Sequence, residues 1–159
     1  MDENAQALDP RAVQLWRLAG LVRLGVFWLP VALGVGGALG LLVSGPLGFV
    51  VSTLILGVAG LLALIWPSLA YTRFRYALRE HDLLVERGVL FRAWTSVPYD
   101  RIQHVDTRQG PLERALGLSR VLVFTASGLG ADASIPGLDE GTAADLRDLL
   151  SRRGGDDGV

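Results

Sequence analysis

The hydrophobic pattern splits the chain into one long apolar stretch and a later region of alternation. Between Arg23 and Arg73, residues 24–72 contain no Asp, Glu, Lys or Arg, and most are Leu, Val, Ala and Gly. A helix crosses the hydrocarbon core of a bilayer in about 20 residues, so the stretch holds about two crossings and a turn. Ser44-Gly45-Pro46 marks the turn, because Pro disfavours helix at the residue before it. The pattern predicts one helix from about Leu21 to Val43 and a second from about Leu47 to Trp66. Neither carries the polar stripe of a soluble surface helix. The apolar stretch also exceeds the apolar region of a signal peptide. Residues 21–72 are therefore predicted to be a two-helix transmembrane hairpin.

Upstream, residues 1–20 read as a lead. Residues 1–8 carry no pattern and are expected to be disordered. Asp9-Pro10 then supplies an N-cap and a first helical proline. A short interfacial helix is predicted to run into the first span, with Trp16 and Trp28 near headgroup level and Trp66 and Tyr71 at the exit of the second.

After Arg73 the period becomes two. Phe74, Tyr76 and Leu78 alternate with Arg73, Arg75 and Arg79, which predicts a half-buried strand over 72–79. Further strands are predicted over 83–86, 89–97, 101–108, 119–125 and 133–135. The expected breaks are a tight turn at Arg87-Gly88, a short helical turn at 111–116, a loop at 127–130, and Pro136-Gly137 ending the last strand. A final helix runs from about Glu140 to Arg153, with Asp139 as N-cap, acids early and Arg152 and Arg153 in its last turn. Ala143, Leu146, Leu149 and Leu150 form its apolar face. These elements predict an α+β domain over 73–153: a small, bent antiparallel sheet or partial barrel capped by a C-terminal helix. Residues 154–159 are expected to be a frayed tail.

Charge orients the hairpin. Arg11, Arg17 and Arg23 precede it, Arg73, Arg75 and Arg79 follow it, and the connecting turn has none. Positive charge stays inside, so both termini are predicted to be cytoplasmic in a two-pass cell-membrane protein. The net charge of −1 hides an asymmetry: residues 73–120 carry nine Arg against six acids, and residues 121–159 three Arg against seven acids. With 0 Cys there is no disulfide, thiolate metal site or cysteine nucleophile.

Three sets of residues are candidates for interaction. Ala32, Gly36 and Gly40 fall on one face of the first helix; Gly48 with Ser52, and Thr53 with Gly57, do so on the second. Small residues four apart let membrane helices approach closely, either within the hairpin or against another membrane helix. Arg73, Arg75 and Arg79 suit anionic lipid headgroups, since each basic residue near such a surface adds roughly 1 kcal/mol of attraction. Tyr99, Asp100, Arg101, Gln103 and Arg108 form a polar run that reads either as a structural corner or as a docking surface.

Candidate chemistry is sparse. No charged residue or His lies in the hairpin core, which argues against an ion path or proton relay. His81-Asp82 and His104-Asp106 match no metal-ligand spacing. There is no Gly-x-Ser-x-Gly elbow and no dinucleotide loop. No enzyme activity, cofactor, metal or nucleic-acid partner is expected.

The motifs Gly88-Val89-Leu90, Val97-Pro98-Tyr99-Asp100-Arg101-Ile102-Gln103 and Gln109-Gly110-Pro111-Leu112-Glu113-Arg114, set behind two spans, resemble the bacterial pleckstrin-homology-like, membrane-flanked domain proteins of the YdbS-like type. The resemblance covers nearly the whole chain. It implies a PH-like fold on the cytoplasmic face, no enzyme activity, and a complex with a related PH-like membrane protein or self-association. The turn Arg79-Glu80-His81-Asp82, where eukaryotic PH domains are basic, is more acidic than basic. Specific phosphoinositide binding is therefore not expected.

Overall fold

A computed structural model describes residues 6–126 and 130–156. Its contacts divide the chain into two units: Trp16–Ser68, and the flanks up to Leu15 and from Leu69 onward.

The first unit holds most of two long apolar helices. Helix α1 (Arg11–Arg23), a π-helical turn (Leu24–Trp28) and α2 (Leu29–Leu42) run on as one helix, Arg11–Leu42. The predicted interfacial helix and first span are thus a single element. Pro30 explains the π turn. It lacks an N–H, and its ring would crowd the carbonyl of Val26 in a regular α-helix. The wider turn, closed by the Leu29 N–H on the Leu24 carbonyl, relieves this.

Helix α3 (Gly45–Arg73) starts at the Gly45-Pro46 break, as expected. It continues through Pro67 to Arg73, well beyond Trp66. Arg73 is therefore the end of a helix and not the start of a strand. Ala32, Gly36 and Gly48 are buried where the two arms of the hairpin meet. A Cβ on Gly36 would overlap the Ser52 hydroxyl, and one on Gly48 would overlap the Gly36 carbonyl. The Ser52 hydroxyl shares its proton between the carbonyls of Ala32 (2.9 Å) and Gly48 (3.0 Å). The close approach thus gives a hydroxyl that already has an acceptor in its own helix a second one across the hairpin.

The second unit contains β1 (Arg75–Leu78), β2 (Asp82–Arg87), β3 (Ala93–Pro98), β4 (Ile102–Arg108), α4 (Pro111–Ala115), β5 (Leu118–Thr125), β6 (Ala133–Asp139) and α5 (Glu140–Asp156). They form two three-stranded antiparallel sheets, β1-β2-β3 and β4-β5-β6, which do not close into a barrel. Helix α5 packs across β4, β5 and β6. Leu83, Val85, Leu118, Val121, Val123, Ile135 and Leu150 are fully buried between these layers. Alternation puts Tyr76, Leu83, Val85 and Val97 inside. Asp139 caps α5 by accepting from the Gly141 and Thr142 N–H groups, both at 3.1 Å. Hydrogen bonding by Thr142, through its side chain first and its N–H second, holds the Asp139 carboxyl below its ordinary value.

Four expectations change. Pro136-Gly137 does not end β6. The pairing slips between Ser119 and Val121, so the Pro-Gly pair is absorbed as a bulge and the strand continues. Val89 to Arg92 are not strand: β2 and β3 are joined by a loop starting at Gly88, whose φ of 115° is accessible to glycine and closed to most side chains. The C-terminal helix takes in Gly154 to Asp156, leaving only 157–159 of the expected tail outside the described residues. The expected loop at 127–130 also falls largely outside them.

The fourth concerns the lead. Residues 1–5 lie outside the described residues, but Gln6 pairs with Tyr76 through backbone hydrogen bonds of 2.7 and 3.2 Å. Leu8, Ala12 and Leu15 are buried. The Asp9 N–H bonds the Gly137 carbonyl at 3.0 Å, and the Tyr71 hydroxyl donates to the Leu8 carbonyl at 3.0 Å. The segment before the hairpin is thus part of the domain that follows it.

Candidate functional site

The small-residue faces of the hairpin separate into two kinds. Ala32, Gly36 and Gly40 meet Gly48 and Ser52 within the hairpin, so this face is already occupied. Thr53 and Gly57 point elsewhere and are exposed. A Cβ on Gly57 would meet nothing within 4 Å, and the Thr53 hydroxyl folds back on the Phe49 carbonyl at 2.9 Å. The second face is smooth and free of unpaired hydroxyl, which suits the close approach of another helix.

The arginines do not gather as the sequence suggested. Arg73 is exposed on the last turn of α3. Arg75 begins β1, its guanidinium donating to the Phe74 carbonyl at 2.7 Å. Arg79 lies past the other end of β1, with its guanidinium 3.7 Å from Asp82. At about 3.3 Å per strand residue, Arg75 and Arg79 are on the order of 13 Å apart along the sheet. The chain position missed a closer pairing: β1 and β2 place Arg75 opposite Glu86, so Arg87, and with it Arg92 across the hairpin, lies at the Arg75 end. Only the register reveals this, because Arg87 and Arg92 are distant from Arg75 in sequence.

The polar run also divides. Tyr99 is buried, and its hydroxyl donates to the Arg79 carbonyl (3.0 Å) while accepting from Arg153 (3.0 Å). The Arg153 guanidinium also lies 4.9 Å from the Tyr99 ring centroid, within range of a cation–π contact. Burial pushes the Tyr99 phenol up, and the adjacent Arg153 charge opposes the rise. Tyr99 is therefore a structural corner that ties α5 to the β1–β2 turn. Asp100, Arg101 and Gln103 are exposed, and Arg108 pairs with Asp106 at 3.4 Å toward the far end of β4. The five residues do not form one docking surface.

The motif 109–114 has a structural role. Glu113 is buried; it accepts the Gly110 N–H at 2.5 Å and holds Arg120 at 2.7 and 2.8 Å. Gln109 donates to the Leu118 carbonyl (3.0 Å) and Glu140 (2.8 Å), tying α4, β5 and α5 together. The His104 ring stacks on Phe124 at 4.3 Å across the β4–β5 pair, and His81 is exposed beside Glu80.

Two apolar helices followed by an α+β domain of two antiparallel sheets and a C-terminal helix define a membrane protein carrying a PH-like domain. Residues 21–154 match the family described as Bacterial PH domain, and the chain belongs to that family. It is similar to the UPF0699 transmembrane protein YdbS of Bacillus subtilis (strain 168), at 33% identity over 106 residues. The match covers 60% of this chain and 65% of that relative, just under two thirds of the relative's length. No solved structure matches the chain.

Proposed function

We propose that the chain is a non-enzymatic, membrane-anchored PH-like interaction module. It works as a subunit of a membrane complex with a related PH-like membrane protein or a second copy of itself. The observation that carries this reading is the open Thr53–Gly57 face of α3, left unused by a hairpin that consumes its other small-residue face. In a bilayer, helices associate through such close approach because lipid removes the hydrophobic drive. Arg11, Arg17 and Arg23 before the hairpin and Arg73 and Arg75 after it favour cytoplasmic termini, with the Ser44-Gly45 turn outside.

Mild-detergent purification of the tagged chain tests the pairing. Wild type should retain a stoichiometric membrane protein, and Thr53→Leu with Gly57→Leu should release it while the chain stays folded. Retention of the partner by the double variant, or a lone monomer from wild type after crosslinking, overturns the reading. A second reading, recognition of anionic headgroups, is favoured by Arg73 and Arg75 at one end of the sheet. It predicts that anionic lipid co-purifies with wild type and is depleted in the double alanine variant.

A further inference from the structure

Among the described residues after Arg73, the large apolar side chains that stand exposed are Leu90 (76%), Phe91 (88%) and Trp94 (60%). All three belong to one hairpin, the β2–β3 loop and the first turn of β3 beyond it. The loop is a built feature. Gly88 adopts a φ of 115°, and a Cβ there would overlap the Phe91 carbonyl, so the chain turns back tightly on itself and projects Leu90 and Phe91. Arg87 and Arg92, both exposed, flank the apolar tip.

The register fixes where this tip lies. Strand β1 runs away from the end of α3, and β2 returns antiparallel, with Arg75 opposite Glu86 and Arg87 opposite Ala93. Residues 88–92 therefore project beyond the end of the sheet at which the chain arrives from α3, with only Phe74 between α3 and β1. Helix α3 has 29 residues. At 1.5 Å each it is roughly 43 Å long, the thickness of a bilayer with its headgroups. Arg73 thus falls at the headgroup boundary, and the sheet end that carries the tip begins two residues further along the chain, at Arg75.

We infer that the β2–β3 tip is a membrane wedge. Leu90 and Phe91 enter the headgroup–acyl boundary, Trp94 lies at the interface, and Arg87 and Arg92 meet lipid phosphates. An apolar tip ringed by cations suits a lipid surface with anionic headgroups. The occupant is the bilayer of the chain's own spans, held at high effective concentration by continuity with α3. This wedge requires that α3 cross the membrane. It does not depend on the proposed pairing through Thr53 and Gly57, nor on headgroup binding by Arg73.

The chain has 0 Cys, so single cysteines at the tip can be labelled directly. The full-length chain, carrying Leu90→Cys or Phe91→Cys with an environment-sensitive dye, is placed in phosphatidylcholine vesicles containing phosphatidylglycerol. His81→Cys, at the opposite end of the sheet, is the reference. The tip label should shift to the blue, and its emission should be quenched several-fold more than the reference by lipids with shallow nitroxides, as a depth of about 5–10 Å requires. The effect should survive high salt, because insertion is apolar. Two results overturn the wedge. One is a tip label as open to water as the reference. The other is a label shielded from water-borne quencher yet untouched by lipid nitroxides, which places a protein over the tip. Separately, Leu90→Asp with Phe91→Asp should abolish the blue shift of a dye at Trp94→Cys. A retained shift counts against insertion. Loss of the membrane partner in the Thr53 and Gly57 variants leaves these readings unchanged, so the two proposals fail separately.

Discussion

Gly137 joins a demand on backbone to a demand on space. Its φ is 64°, and an added Cβ would lie 2.5 Å from the Ala12 Cβ. Left-handed backbone costs a residue with a Cβ about 1–2 kcal/mol, and overpacking adds more. Gly137→Ala should therefore destabilise the domain by on the order of 2–3 kcal/mol, read as a lower thermal midpoint in detergent. An unchanged midpoint would mean that the segment around Ala12 does not pack there. Two carboxylates give the domain a pH dependence. The Arg11 side chain, hydrogen-bonded to Asp9, holds the Asp9 carboxyl below its ordinary value, and the Thr142 hydrogen bonds do the same for Asp139. A depressed carboxylate contributes stability above its unfolded pKa of about 4, and that stability fades as pH falls through the folded value. The thermal midpoint should fall below about pH 4 and fall less in the Asp9→Asn, Asp139→Asn variant. Equal slopes would remove these two groups from the account. Both caps were legible in sequence because a cap is local: Asp9-Pro10 and Asp139-Glu140 state their role within a few residues. Tyr99 was not. Its partners, Arg79 and Arg153, come from distant parts of the chain, and only the fold makes the tyrosine a buried corner.

At the scale of elements, the first helix shows what periodicity reads and what it misses. The apolar run between Arg23 and Arg73 announced the hairpin because lipid imposes composition over a long stretch. The same signal could not show that the helix starts at Arg11, nor that Gln6 to Leu15 belong to the domain after the spans. That segment pairs with Tyr76 and Gly137 across a gap in sequence filled by the whole hairpin. Leu8 is 3% exposed, so Leu8→Ala should cost roughly 2–3 kcal/mol, whereas a leucine in a solvated lead would change stability by less than about 0.5 kcal/mol. Denaturation of the solubilised chain decides between them. The strand expected from Val89 failed for a related reason. Val89, Leu90 and Phe91 have strand-like composition, but Gly88 turns the chain out of the sheet, and the apolar residues become a tip. Pro136-Gly137 failed in the opposite sense, because a bulge absorbs the pair that sequence reads as a stop.

At the scale of the whole chain, membership of the bacterial PH family and the two apolar helices describe a membrane protein with a domain whose core is shared by both flanks of the hairpin. The hairpin is thus inserted between two parts of one domain. The proposed work of those spans is to hold a partner helix at Thr53 and Gly57. Placing a photocrosslinker at Gly57 in living cells, with one at the exposed Leu41 of the first helix as the control, and identifying the products by mass spectrometry tests this claim directly. The Gly57 probe should capture a PH-family membrane protein or a second copy of the chain, with the Leu41 probe giving only lipid adducts. Lipid adducts alone at Gly57 would contradict the account.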